Sequence, residues 1–142
     1  MSFVLDARLE KDGICIAENA GFVLNLMNDA RYPWLVLIPK VPNITELFEL
    51  NDAQHRALNR ATQLLGYHLM NRVNADKLNV AAIGNIVSQL HVHIVARHRA
   101  DFSWPAPVWG VGESQPYTEP ELHQILTKLG SLQGLLDEAS NA

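Results

Sequence analysis

The segment that most constrains the fold is residues 89–97, QLHVHIVAR, in which polar and apolar side chains alternate. Alternation with a period of two predicts a β-strand that has one apolar face and one polar face. Gln89, His91 and His93 would then share a face, with about 6–7 Å between successive positions. The segment therefore predicts a buried strand that presents two imidazoles and a carboxamide in a row.

Further strand patterns precede the middle of the chain. Asp12-Gly13 is typical of a turn between two short strands, the second of which begins at residues 14–16. Residues 22–26 predict another strand. Residues 34–38, WLVLI, are continuously apolar and end at a proline, as in a strand buried on both faces. The first 40 residues therefore predict four strands.

The rest of the chain mixes helices and strands. Leucines at roughly helical spacing predict a long helix over residues 52–73, and a similar pattern predicts a second helix over 119–136. Two strands, 76–83 and 89–96, lie between them and are joined around Gly84-Asn85. This order of elements predicts an α+β fold with an antiparallel sheet, in a single domain over residues 1–142.

Composition narrows the classes of function. The formal net charge is −4, so the basic surface that long nucleic acid requires is not expected, although a small phosphate ligand needs only a few local donors. No apolar run approaches the length of a membrane span, and we expect no signal peptide. The only cysteine, Cys15, cannot form a disulfide within the chain. Together these features predict a cytoplasmic protein.

His91 and His93 have three possible interpretations from the residues alone. They could be strand residues with no joint role, a pair of catalytic imidazoles, or two ligands of a metal site. A metal site needs further ligands, and no cysteine pair or carboxylate lies close in sequence. We therefore expect no bound metal, and long-range ligands stay open.

The motifs around these histidines resemble the histidine triad family. Residues 90–95, LHVHIV, resemble the second and third histidines of its motif His-φ-His-φ-His-φ-φ, where φ is apolar. Residues 34–40, WLVLIPK, resemble the family strand that ends in Ile-Pro-Lys. Residues 84–88, GNIVS, lie where the family has a phosphate-contacting loop. Trp104-Pro105, within residues 97–110, is similar to a bacterial subgroup.

The resemblance implies a fold and a chemistry. The implied fold is a five-stranded antiparallel sheet with two main helices, in a homodimer whose sheets join across the subunit boundary. Family members bind nucleotides and cleave a bond at the α-phosphate. The substrate would be a nucleotide conjugate, such as a dinucleoside polyphosphate or a nucleoside phosphoramidate. No cofactor is implied, although a polyphosphate substrate can carry Mg²⁺.

The resemblance also implies roles for individual residues. His91 matches the nucleophile that forms a nucleotidyl-histidine intermediate, and His93 matches the histidine that contacts the phosphate. Asn85, beside Gly84, matches a residue that binds phosphate oxygens, and Asn28 matches one that touches the ribose.

Two positions depart from the family pattern. Gln89 replaces the first histidine of the triad, and Trp34 lies where relatives have a fourth histidine; we include both in the predicted site. Arg97 lies an even number of residues after His91, so on a continuous strand it would share the face of His91 and could neutralise a phosphate. Loss of an acid–base partner typically costs about 10²–10⁴ in rate, so we expect a slow enzyme or one suited to good leaving groups. The alternative is a nucleotide-binding sensor or interaction module with weak or lost catalysis.

Overall fold

The computed structural model describes residues 2–141 and shows an α+β fold. Its elements are α1 (Ala7–Asp12), β1 (Gly13–Glu18), β2 (Phe22–Met27), β3 (Trp34–Pro39), α2 (Asp52–Arg72), β4 (Lys77–Ala81), β5 (Val92–Arg97), α3 (Glu119–Leu129) and α4 (Gln133–Ser140). A single 3₁₀ turn, Leu47–Glu49, precedes α2. The strands form one sheet in the order β1-β2-β3-β5-β4, and every neighbouring pair is antiparallel. The predicted antiparallel α+β architecture is confirmed.

The first predicted strand is wrong, because the segment before Gly13 is helical. Asp6 caps α1: its side chain accepts a hydrogen bond from the backbone N–H of Arg8 at 2.8 Å. An aspartate at this position satisfies one of the free N–H groups at a helix start. Asp12 therefore ends a helix rather than a hairpin strand, and β1 starts at Gly13.

The second half of the chain differs from prediction at its element boundaries. The strand expected over 89–96 is Val92–Arg97, because the N–H of Leu90 bonds to the carbonyl of Ile44 outside the sheet. The helix expected over 119–136 is two helices. Gly130, with φ +69°, ends the first of them at a backbone conformation that favours glycine.

The two faces of the sheet are covered differently. Side chains of β2, β3 and β5 on one face pack with α2, α3 and α4, in a core that includes Leu24, Leu35, Leu37, Ile94, Leu58, Leu65, Leu69, Leu129 and Leu136. The opposite face carries Trp34, Val36 and Val95, and is covered by Leu9 of α1 and by Val108. Residues paired directly in an antiparallel ladder share a face, so the pairing of Val36 with His93 places His93 on this second face. The site therefore lies opposite the main helices.

The helix α2 is long, but it is not a membrane span. No helix in the described part of the chain is long and apolar enough to cross a membrane. Asn51 and Gln54 form a capping box at its start, and Leu58, Leu65 and Leu69 bury its inner face. The helix therefore uses its apolar stripe to close the main core.

The substitution Leu65→Ala should lower the free energy of unfolding by about 2–5 kcal/mol, because Leu65 is fully buried between α2 and the sheet. Denaturant unfolding checks this value. Arg56→Ala on the exposed side of the same helix is the matched control, with a change below about 0.5 kcal/mol. Equal effects of the two variants would contradict the packing described above.

Candidate active site

The two histidines of residues 89–97 lie side by side at the start of β5. Their ring centroids are 4.9 Å apart, and each residue is only 6% exposed. His93 belongs to β5, between β3 and β4, whereas His91 directly precedes the strand. The structure therefore brings together the two imidazoles that the sequence placed at the centre of the site.

His91 has one ring nitrogen committed to the backbone. Its Nδ1 lies 2.6 Å from the carbonyl oxygen of Gln89. A carbonyl oxygen only accepts, so Nδ1 carries the proton in this bond. The neutral ring then has an unprotonated Nε2, which is the nitrogen available for nucleophilic attack.

His93 has the opposite tautomer. The indole Nε1–H of Trp34 donates to Nδ1 of His93 at 3.0 Å, and this bond is buried. An indole N–H cannot accept, so Nδ1 must be the acceptor and the ring proton is on Nε2. Burial, and to a smaller extent the repulsion that a protonated His91 ring would exert, lower the pKa of His93 to about 4. His93 is therefore a neutral N–H donor at physiological pH.

Aromatic rings enclose His93. Trp34 and Trp109 pack edge-on against its ring, with centroid distances of 5.6 and 5.4 Å. The two indoles also meet each other at 6.1 Å. The Nε1–H of Trp109 is buried and has no hydrogen-bond partner among the described residues. This packing excludes water from the ring and accounts for its preference for the neutral form.

A cavity of about 440 Å³ opens onto both imidazoles. Its walls come from α1, the sheet, the segment before β5 and the segment after it; the lining residues are Leu9, Asp12, Gly13, Asn25, Met27, Trp34, Val36, Ile83, Gly84, Asn85, Ile86, Val87, His91, His93, Trp109 and Gly110. Most of this surface is apolar, with the two histidines at one side. Such a cavity suits a ligand with a flat apolar part and a polar head group.

The segment between β4 and β5, for which the resemblance implies a phosphate contact, forms one wall of the cavity. Gly84 has φ +69°, which reverses the chain at a point where a side chain would be strained. Asn85 follows it at the cavity wall. The guanidinium of Arg8 on α1 donates to the carbonyl of Ile86 at 3.1 Å, which ties this loop to α1.

Gln89 does not join the imidazoles in a row. Its side-chain oxygen accepts from the backbone N–H of Asp6 at 2.8 Å, and its amide donates to the carbonyl of Val4 at 2.8 Å. The carboxamide therefore holds the N-terminal segment, and the predicted same-face position is corrected because Gln89 precedes the strand. Its contribution to the site is the backbone carbonyl that orients His91.

Arg97 is placed away from the predicted phosphate position. Its guanidinium is 1% exposed and pairs with Asp101 at 2.8 Å; its other hydrogen bonds go to Asn79, Ser103 and the carbonyl of Ala106. Burial alone would raise the pKa of Asp101, but hydrogen bonds from Arg97 and the backbone reverse this and lower it. Arg97 shares the predicted face, but it holds the segment after β5 rather than lining the cavity.

The predicted ribose residue, Asn28, lines a neighbouring cavity, also of about 440 Å³. Its side-chain oxygen accepts from the backbone N–H of Tyr117 at 2.9 Å. The two cavities share the walls formed by Trp34 and Trp109. The structure therefore puts Asn28 beside the main cavity. Trp34 lines the main cavity, where its indole N–H donates to His93.

Sequence reasoning missed Asn25 as a cavity residue. Asn25 is buried on β2, pairs with Val36 in the sheet, and donates to the carbonyl of Leu9 at 3.2 Å. The available signal was a single amide inside an apolar strand. Trp109 is far from the motif in sequence, so only the path of the chain after β5 shows that it reaches His93.

The residues present do not complete a metal site. In residues 2–141 no group of three or more His, Cys, Asp and Glu side chains is close enough to hold a metal ion. The hydrogen bonds of both Nδ1 atoms leave only the Nε2 atoms of His91 and His93, and the latter carries a proton. The geometry favours imidazole chemistry over metal ligation.

Comparisons with known proteins agree with the fold and the motif. The model of the HIT domain matches residues 8–100. A histidine triad protein from Sinorhizobium meliloti is 43% identical, with a TM-score of 0.86 over 89% of this chain and 94% of that one. A histidine triad protein from Marinobacter aquaeolei is 38% identical, with a TM-score of 0.89 over 98% and 99%. One from Bradyrhizobium japonicum is 36% identical, with a TM-score of 0.87 over 91% and 96%. No curated protein matches the chain.

The five-stranded antiparallel α+β fold is shared with these three histidine triad proteins. The chain belongs to the histidine triad (HIT) family, as the family match and these three structures show.

The stability of the protein should fall as the pH falls through the range in which His93 is neutral only in the folded state. Between pH 6.5 and about 4 the unfolded chain binds a proton that the folded chain does not, at a cost of up to about 3 kcal/mol. The free energy of unfolding of wild type, measured relative to that of His93→Asn, should therefore decrease from pH 7 to pH 4. A difference that does not change with pH would contradict the buried neutral state.

Arg97→Met should lower the free energy of unfolding by about 3–5 kcal/mol, because Asp101 would stay buried without its cation. Denaturant unfolding measures the loss, and the double variant with Asp101→Leu should recover part of it. Wild-type stability combined with weakened binding of a nucleoside monophosphate would instead support a phosphate contact.

Proposed function

We propose that the protein is a nucleotide hydrolase or nucleotidyl transferase that cleaves at the α-phosphate of a nucleotide conjugate. The supporting observation is the pair of opposite tautomers in adjacent imidazoles. His91 presents an unprotonated Nε2, and His93 presents an Nε2–H, on rings whose centroids are 4.9 Å apart. A nucleophile beside a donor is what displacement at phosphorus requires.

The cavity supports this proposal with a place for each part of a nucleotide. The apolar walls from Leu9, Val36 and Trp109 suit a base. The phosphate would lie between the two histidines and the loop at Gly84-Asn85, where backbone N–H groups and the Asn85 amide can donate to its oxygens. Membership of the HIT family supports the same class of ligand.

The chemistry proceeds in two balanced steps. The lone pair of His91 Nε2 forms a bond to the α-phosphorus, and the bond to the leaving group breaks with its electron pair staying on that group. Water or another hydroxyl acceptor then attacks the phosphorus of the nucleotidyl-histidine, the electron pair of the N–P bond returns to Nε2, and the proton that the acceptor loses passes to solvent. His93 Nε2–H stabilises the charge on the phosphate oxygens in both steps.

Nothing in these steps needs a metal ion or cofactor held by the protein, and a polyphosphate substrate can bring Mg²⁺ with it.

A cytoplasmic homodimer is part of the proposal. The edge strand β4, where Val80 is exposed, is a surface on which two sheets could pair. Light scattering that shows a monomer at micromolar concentration would remove the dimer from the proposal.

A second candidate function is a nucleotide-binding sensor without turnover. The observations that favour it are Gln89, whose carboxamide holds the N-terminal segment, and Trp34, which replaces a histidine. Such a protein would bind a nucleoside monophosphate in the same cavity and release no product.

His91→Ala should reduce kcat/KM for release of a nucleoside monophosphate by about 10³-fold or more, since the nucleophile is lost. A panel of a dinucleoside polyphosphate, an adenosine phosphoramidate and an adenylyl sulfate provides the substrates. The control is His123→Ala, an exposed histidine on α3 that should leave the rate unchanged. Binding of a monophosphate without turnover of any conjugate would favour the sensor.

A further inference from the structure

The arrangement of protons in the site bears on which leaving groups can depart. A leaving group that is a strong base needs a proton as its bond to phosphorus breaks, whereas one that forms a stable anion does not. The groups that line the cavity and could supply a proton are His91, His93 and Asp12. Each has a defined state in the structure.

His91 cannot supply the proton. Its Nε2 is used to form the bond to phosphorus, and its Nδ1–H is held by the carbonyl of Gln89 at 2.6 Å. That hydrogen bond lies on the side of the ring opposite the attacking nitrogen. The proton at Nδ1 therefore faces the backbone rather than the substrate.

His93 donates a hydrogen bond but is not placed to give up a proton. An imidazole transfers a proton readily only from its cationic form, and that form needs a second proton on Nδ1. The indole N–H of Trp34 already points at Nδ1 at 3.0 Å, and no room for a second hydrogen exists between these two nitrogens. Loss of Nε2–H from the neutral ring would leave a buried anion, which is costly.

Asp12 does not replace them. It is the last residue of α1, and its exposed side chain lies at the rim shared by the two cavities. An ionised carboxylate only accepts hydrogen bonds and has no proton to donate. The described lining of the cavity therefore holds no group in a proton-donating state.

We propose, building on the proposed function, that the substrates are anhydride conjugates of a nucleoside monophosphate, and that Trp34 is the positioning residue that imposes this preference. In an anhydride the P–O bond breaks and the electron pair stays on a phosphate, sulfate or carboxylate oxygen, which leaves as a stable anion. In an amine conjugate the P–N bond breaks and the nitrogen must gain a proton. Trp34 occupies Nδ1 of His93, so His93 cannot form the cationic imidazole that would donate this proton.

The test compares conjugates that share one adenylyl group and differ in the leaving group: adenylyl sulfate, a diadenosine polyphosphate and an alkylamine phosphoramidate. We expect kcat/KM for the anhydrides to exceed that for the phosphoramidate by about 100-fold or more. Trp34→His, which places a titratable group against His93, should raise the ratio of phosphoramidate to anhydride turnover at least tenfold. Turnover of the phosphoramidate as fast as the anhydrides would overturn the inference while leaving the proposed function intact.

Trp109→Phe is the matched control for the indole N–H. Trp109 also packs on the ring of His93, at 5.4 Å, but its Nε1–H makes no hydrogen bond to it. Its loss should change the packing without changing the ratio between the two substrate classes. A Trp109→Phe variant that shifts the ratio as much as Trp34→His would overturn the role given to Trp34.

Nitrogen NMR of the histidines tests the proton arrangement without any substrate. In wild type and in Trp109→Phe, Nδ1 of His93 should be unprotonated and hydrogen bonded, and Trp34→Phe should change its chemical shift. A protonated Nδ1 in wild type would overturn the inference whatever the kinetics. Absence of turnover with every conjugate would instead defeat the proposed function, and the NMR result separates the two failures.

Discussion

The hydrogen bond from Trp34 to His93 joins the fold to the chemistry of the site. It exists because β3 and β5 are adjacent, in a register that pairs Val36 with His93 and places Trp34 opposite Val95. A shift of one residue in this register would put Trp34 and His93 on opposite faces of the sheet and break their hydrogen bond. The apolar side chains that alternate with Trp34 and His93 along β3 and β5 pack in the main core with α2, and this packing holds the register in place. The tautomer of a single imidazole is thus fixed by the core packing of the whole sheet.

A second constraint holds the segment that follows β5. Arg31 pairs with Asp29 and Arg97 pairs with Asp101, and both ion pairs are buried. The two guanidinium groups lie 5.2 and 5.5 Å from the centroid of the Tyr32 ring. The guanidinium of Arg31 also donates a hydrogen bond to the carbonyl of Val111. Breaking either pair would leave a buried charge, so the segment has few alternative paths. Its path is what carries Trp109 to His93 and completes the cavity wall.

Most of the architecture could be predicted from sequence because it follows from local patterns. Period-two alternation and the apolar run at 34–38 identified the central strands, and helical leucine spacing identified α2. The errors fall where a distant contact overrides the local pattern. Residues 7–12 are helical because Asp6 caps them, and Gln89 leaves the strand because the N-terminal segment binds its side chain. Neither partner is visible from local sequence.

The site shows the same division. His91, His93, Asn85 and Gly84 belong to one continuous motif, and the structure brings them to one cavity. Arg97 lies on the expected face of the strand. Position along a strand predicts the direction of a side chain but not its partner, and the partner of Arg97 is Asp101. The departures at Gln89 and Trp34 could be located in the sequence, yet their consequences could not be derived there. Only the hydrogen bonds show that the Gln89 side chain holds the N-terminal segment and that Trp34 fixes the proton of His93.

The proposed reaction depends on a covalent bond between Nε2 of His91 and the α-phosphorus. Rapid acid-free quenching during turnover of adenylyl sulfate, followed by peptide mapping with mass spectrometry, detects this bond. We expect one adenylyl group on the peptide that contains His91, and none on the same peptide of His91→Ala. Modification at His93 instead, or steady turnover with no adenylyl group on the protein, would contradict it.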